Sequence, residues 1–331
     1  MAARAQKLNV AAVIVVTLFC RAGFVWSAAP AGFVGSAAPA GLVGSTAPAG
    51  LAKPALQPAM QSSRTPVPTA RRIVSLVPNL TEMLFAIGGG SQVVGVSSYD
   101  DFPPEAQLLP SVGALLDPDT ERILSLKPDL VIIYGSQIEL ESQFTRVGIR
   151  VYTYRHAGIA NVLQTIRDLG VISGHKAEGD RVTAQLQSQL DAIRARVRGR
   201  PRPKAMLVMG RDATALRGVY VSGGIGFLHE LLAVAGGDNV FADVNREGVQ
   251  PSSETMLVRA PQVIIELHAG DEPAPEVLQR ERAVWSLLPS VPAVRNGRVH
   301  LLYGGYLVSA GPRLARAAEA FARVLHPEAF K

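Results

Sequence analysis

The sequence predicts an α/β protein: two similar α/β lobes with central, mostly parallel sheets, joined by one long linker helix, with a ligand cleft between the lobes. Three observations lead there. Apolar strand-like runs alternate with helical ones, the second half of the chain echoes the first, and one long helical stretch lies between the halves. A chain of 331 residues has room for two such units, because single cores usually stop growing near ~250 residues.

The elements follow in order. Arg4 and Lys7 precede an apolar run from Leu8 to Phe19, which has the length of a signal-peptide core and is too short to span a membrane. Small residues at Ser27, Ala28 and Ala29 offer a cleavage point, so residues 1–29 are expected to be a signal peptide and the mature protein to be exported or periplasmic. The alternative is a membrane tether through an uncleaved N-terminus or a lipidated Cys20, although Phe19 is bulkier than the usual residue before a lipidated cysteine. Cys20 is the only cysteine, so no disulfide can form within the chain. From Ser27 a nine-residue unit repeats three times (SAAPAGFVG, SAAPAGLVG, STAPAGLAK), and residues 30–70 read as an Ala/Pro/Gly-rich spacer.

The folded part starts at Arg71. Residues 71–174 are expected to form the N-terminal lobe, with strands in RRIVSLV, QVVGVSS, LVIIYG and RVYTY and helices in LTEMLFAIG, ERILSLK and ANVLQTIRDLGVIS. A helix from about Ala177 to Arg198, within a linker of residues 175–200, would span ~30 Å at 1.5 Å per residue. Residues 201–331 are expected to form the C-terminal lobe, with strands in KAMLVMG, QVIIELH and RVHLLY and helices in FLHELLAVAG and SETMLVRA.

The internal repeat carries the two-lobe reading. ERILSLKPDLVII from Glu121 matches ETMLVRAPQVIIE from Glu254, and one interval separates Pro118 from Pro251, Glu121 from Glu254 and Pro128 from Pro261. EMLFAIGG from Glu82 likewise matches ELLAVAGG from Glu230, at a different interval that only implies connecting loops of different length.

Composition excludes several classes. Hydrophobic residues at 48% and charged residues at 18% describe a packed globular chain. The net charge of +6 is concentrated in Arg194, Arg196, Arg198, Arg200, Arg202 and Lys204, where cations complement a helix C-terminus and no aromatic residues interleave to stack bases, so no nucleic-acid partner is expected. The six histidines are scattered, and His156 and His268 alone do not make a metal site; no metal or cofactor of the protein's own is expected. SGGIG at Ser222–Gly226 lacks the Lys-Ser or Lys-Thr of a phosphate loop and reads as a helix-start turn. No nucleophile elbow or close carboxylate pair stands out, so the chain is not expected to be an enzyme, although an enzyme on a similar two-lobed scaffold is the alternative of a different class.

The segments RRIVSLVPNLTEMLFAIG, VGVSSYDDFPPEA, ERILSLKPDLVII, GGDNVFAD and SSETMLVRAPQVII, in this order around a long helix, resemble the helical-backbone substrate-binding proteins of ABC importers. That group carries vitamin B12, haem and ferric siderophores. The resemblance covers the chain from Arg71 onward. It implies a monomer that clamps a small-molecule ligand, a metal chelate, and docks on an ABC transporter permease in the membrane. In the family a glutamate on each lobe meets permease arginines; here these match Glu121 and Glu254. The residues make the same pair prominent without the family, since each opens a helix at an equivalent point of the repeat, where two carboxylates could measure a basic partner. An acidic residue in a first helical turn is also favoured by the helix dipole alone.

Ligands of parallel α/β sheets sit beyond the carboxyl ends of the strands. That rule selects Tyr99, Tyr134, Tyr154, Arg155 and His156 in the first lobe and Arg211, His268, Tyr303 and Tyr306 in the second, whereas Tyr152 and Tyr220 read as packing residues. The expected ligand-binding set is Tyr99, Tyr134, Arg155, His156, Arg211, His268 and Tyr306. Tyr99 matches a tyrosine of the B12-binding members within a similar segment. Two tryptophans of those members are absent, one from GALLDP around Leu115 and one from NREGVQPSS, and Gly305 replaces an acidic residue. The haem-binding members' axial tyrosine has no counterpart in Gly113–Leu115. Arg155 and Arg211 would suit a ferric siderophore. A corrinoid is the first expectation, with siderophore and haem as alternatives.

Overall fold

A computed structural model describes residues 68–331. The expected signal peptide, Cys20 and nearly all of the repeat spacer lie outside the described residues.

The first sheet is formed by β1 (Ile73–Ser75), β2 (Val93–Val96), β3 (Leu130–Tyr134) and β4 (Arg150–Tyr154), in the order β2-β1-β3-β4 and parallel throughout. Helices α1 (Pro78–Ala86), α2 (Thr120–Ser125), α3 (Ile138–Arg146) and α4 (Ile159–Ser173) connect and cover it. Then comes α5 (Lys176–Val197), a single helix of 22 residues. The second sheet contains β5 (Lys204–Gly210), β9 (Val263–His268) and β10 (Val299–Tyr303) in parallel, and three short strands, β6 (Tyr220–Ser222), β7 (Asp238–Asn239) and β8 (Gly248–Val249). β6 runs antiparallel to both β5 and β8. Its helices are α6 (Phe227–Val234), α7 (Ser253–Arg259), α8 (Pro275–Ala283), α9 (Pro292–Arg295) and α10 (Leu314–Leu325).

All seven strands expected from the sequence are present. The three additional strands have two or three residues each.

Alternating side chains sort the core. In β3, Leu130, Ile132 and Tyr134 join one apolar cluster while Val131 and Ile133 join another. In β5, Ala205 and Leu207 face the first cluster and Met206 and Val208 a third. This is the two-residue period of a strand buried on both faces. The shared cluster runs through both sheets by way of α4, α5, α6 and α10. α5 contributes Leu186, Leu190, Ile193 and Val197, spaced three or four residues apart as an apolar helical stripe, and its other face is exposed. Gly170 of α4 and Gly179 of α5 let the two helices cross closely, since a Cβ on Gly170 would lie 3.3 Å from the Gly179 Cα. Gly174, at φ +79°, ends α4 in a left-handed turn that most side chains resist. One helix thus rests on α4 of the first half and on α6 and α10 of the second.

Candidate functional site

The repeated helices α2 and α7 form at equivalent points by the same local chemistry. Asp119 caps α2 by accepting from the Arg122 N–H at 2.9 Å, and Ser252 caps α7 by accepting from the Thr255 N–H at 3.2 Å. Ile123 and Met256 are the buried anchors. Lys127 (φ 48°) and Ala260 (φ 47°) end the pair in the left-handed conformation, the only non-glycine residues with positive φ among the described residues. Glu121 and Glu254 therefore occupy matching first-turn positions, both exposed. The Ser252 hydroxyl and a backbone N–H hold the Glu254 carboxyl below the usual carboxylate range. Leu124 and Leu257, one turn further on, are 43% and 40% exposed.

At the strand ends the first lobe is aromatic. Tyr134 and Tyr154 end neighbouring strands in register, with ring centroids 6.2 Å apart. Burial pushes both phenols well above their ordinary range. The Tyr154 hydroxyl lies 3.0 Å from His156 Nδ1, and the His156 ring meets Phe227 of α6 edge-on at 5.1 Å. Burial lowers His156 to about 4, so the ring is neutral near pH 7. Asp100 is buried beside this group; burial pushes its carboxyl up to about 7, and Thr81 and Ser97 offset only part of the rise.

In the second lobe the equivalent space is ionic. Arg211 and Glu266 form a buried pair at 3.0 Å. The same carboxylate accepts from Trp285 Nε1 at 2.8 Å and has His268 Nε2 3.2 Å away. Burial alone would raise the Glu266 carboxyl, but His268, Arg211 and Trp285 together outweigh it and hold it below its ordinary value. Arg211 also donates to the carbonyls of Asp212, Ala213 and Glu281. His268 stacks on Tyr303 at 4.5 Å, and the Tyr303 hydroxyl donates to Glu281 at 2.6 Å.

The structure thus brings Tyr134 together with His156, and Arg211 with His268. Tyr134 is buried, and the Arg211 guanidinium is committed to Glu266 and main-chain carbonyls, so Arg211 belongs to the frame of the site rather than its surface. Tyr99, 41% exposed, and the exposed Arg155 are the open groups of the first lobe. Tyr306 is half-buried under Arg316, 4.1 Å from its ring. The loop carrying Tyr99 meets the second half through Asp101, beside Gly305, and through Phe102, whose ring lies under Arg313. Phe102, Phe227, Glu266 and Trp285 were not among the expected residues. Glu266 could have been found, because a lone carboxylate inside the apolar strand QVIIELH requires a buried partner. SGGIG offers no anion cradle, since the N–H groups of Gly223 and Gly224 are bonded to the carbonyls of Glu247 and Val244. Among the described residues there is no cluster of three or more metal-ligating side chains.

The class follows from comparison with known proteins. Residues 73–304 match the sequence profile described as periplasmic binding protein, and the chain belongs to that family. It is the substrate-binding protein of an ABC importer, an exported, non-catalytic carrier of a small molecule. Particular relatives narrow the picture. The vitamin B12-binding protein of Salmonella typhimurium is 33% identical over 258 residues, covering 77% of this chain and 90% of that protein. Among solved structures, the periplasmic vitamin B12-binding protein BtuF of Vibrio cholerae is 25% identical with a TM-score of 0.66, covering 79% of this chain and 98% of that one. The heme-binding protein RhuT of Roseiflexus is 26% identical with a TM-score of 0.65, covering 78% and 99%.

Proposed function

We propose that the protein captures a corrinoid between its lobes and presents it to a membrane permease, with Glu121 and Glu254 as the docking pair. The observation that carries the docking assignment is the matching of α2 and α7 in cap, buried anchor, exposed leucine and left-handed terminus. Two acidic first turns built alike on opposite halves suit a partner with two matching basic sites. The division into an N-terminal lobe of residues 71–174, a linker at 175–200 and a C-terminal lobe of 201–331 belongs to the same reading.

For the ligand, support comes from the B12-binding relatives and from Tyr99, an exposed ring at a strand end, as a macrocycle needs. Tyr306, Arg155, His156 and His268 complete the surface around it, and Tyr134 and Arg211 lie beneath as its frame. The heme-binding relative of similar structural likeness supports haem as the second reading. Titrating the purified protein with cyanocobalamin, haemin and a ferric siderophore tests the assignment. Cyanocobalamin is expected to bind one to one, most tightly of the three, and to be released unchanged. Tighter binding of haemin or the siderophore would replace the corrinoid. Glu121→Ala and Glu254→Ala are expected to leave the cyanocobalamin affinity intact while weakening permease docking about tenfold each; loss of affinity in the isolated protein would move the glutamates into the cleft.

A further inference from the structure

The second internal repeat, EMLFAIGG and ELLAVAGG, places Glu82 in α1 and Glu230 in α6 at equivalent positions. Neither belongs to the docking pair, and both reach across to the other half of the molecule. Glu82 is 4% exposed and holds Arg313 in a two-bond fork, Nε to Oε1 and Nη2 to Oε2, each 2.8 Å. Arg313 is the N-cap residue of α10. The Ser309 hydroxyl donates to the same carboxylate at 3.4 Å, and Asn79, one turn earlier on α1, donates to the Ala310 carbonyl at 3.0 Å. In the opposite direction, Glu230 Oε2 accepts from the Ile159 N–H at 2.7 Å. Ile159 is the first residue of α4, and its N-cap is Gly158. A Cβ on Gly158 would collide with the Glu230 carboxylate, so this approach requires glycine. Phe227, one turn before Glu230, packs on His156, just as Asn79 reaches Ala310.

The two contacts are the same contact made twice. In each, the glutamate of one half's repeated helix meets the start of the helix that follows the last strand of the other half. A carboxylate is well matched to both ends. Arg313 offers a planar pair of donors, and the first turn of α4 offers free N–H groups and a positive dipole.

We propose that Glu82 and Glu230 are paired cross-lobe latches that fix the gap between the lobes, and with it the separation of α2 from α7. They would be positioning residues for both ligand and permease. The latches stand on their own geometry; only their consequence for docking rests on the reading of Glu121 and Glu254 given above.

The test uses ligand-free protein without the permease, so it can fail independently of that reading. Spin labels on cysteines replacing the exposed Gln143 of α3 and Gln279 of α8 report the distance between the lobes by pulsed electron resonance. The unaltered latches should give one narrow distribution. Glu82→Ala and Gly158→Ala should each broaden it about twofold, and together broaden it further, as expected for two independent restraints on one equilibrium. Gly158→Ala keeps both glutamates in the chain and acts only by displacing the Glu230 carboxylate. The exchanged pair Glu82→Arg with Arg313→Glu should recover part of the narrow distribution. Arg313→Ala attacks the first latch from its other side and serves where Glu82→Ala does not fold. An unchanged width in Gly158→Ala and Arg313→Ala would overturn the proposal.

Discussion

The two halves share a frame and differ in what fills the ends of their strands. In the first, β3 and β4 end in Tyr134 and Tyr154, and the Tyr154 hydroxyl meets the neutral His156. In the second, β5 and β9 lead to a buried ion pair, Arg211 with Glu266, tied to Trp285 and His268. Elsewhere the halves agree closely: α2 matches α7 down to its cap and its left-handed end, and α1 matches α6 in the glutamate it extends. The halves therefore resemble each other in the exposed helices α2 and α7 and where they contact one another, and diverge at the ends of their strands.

Four measurements would break or sharpen that contrast. The largest effect is expected in the ionic half. Glu266→Ala leaves the Arg211 charge buried without a counter-charge and should cost ~3–5 kcal/mol in urea unfolding. Tyr154→Phe, which removes only a hydroxyl from the aromatic half, should cost ~0.5–1.5 kcal/mol. Equal losses would erase the distinction.

Next comes a pH effect confined to the aromatic half. His156 ionises near 4 in the folded protein, whereas an unfolded histidine takes its proton near ~6.5. Between these values the unfolded chain binds more protons, so this contribution is intact above pH ~6.5 and is lost as the pH falls toward 4. The loss should amount to ~3 kcal/mol, read as the difference between the protein and His156→Leu across that window. Asp100 acts in the opposite sense. Its folded value near 7 lies above the unfolded 3.8, so its contribution is full at low pH and fades as the pH rises through that interval. The comparison with His156→Leu separates the two, and a difference that does not vary with pH would show that the ring is not buried neutral.

Third, Tyr99→Ala should weaken cyanocobalamin binding by ~1–3 kcal/mol if the exposed ring is the anchor on the aromatic side. An unchanged dissociation constant in calorimetric titration would remove it from the site. The smallest effect tests where the halves agree. Asp119→Ala and Ser252→Ala should each destabilise by ~1 kcal/mol, since each removes one helix cap. A clearly unequal pair of values would mean that α2 and α7 are alike in outline only.

The parts legible in the sequence are those encoded by short-range periodicity. The seven expected strands, the 22-residue α5 and the repeat linking Glu121 to Glu254 all follow from spacing within a few turns or strands. The site was legible as positions rather than as roles. An arginine just after a strand looks the same whether it faces a ligand or a buried acid, and Arg211 is committed to Glu266, 55 residues away. Tyr134 likewise satisfies the strand-end rule, but it is buried and packs on its neighbour Tyr154. The contact of Glu82 with Arg313 spans 231 residues and has no local signature at all. The repeat pointed to Glu82 and Glu230 as a pair; only the tertiary fold shows what they touch.

The apolar layer built by α4, α5, α6 and α10 has a thermodynamic consequence. Because residues from β1 through α10 belong to one continuous cluster, neither half covers its own inner face. Cut apart near the end of α5, each fragment would expose a broad greasy surface and aggregate. Heated whole, the protein should absorb heat in a single cooperative peak, although it looks like two pieces.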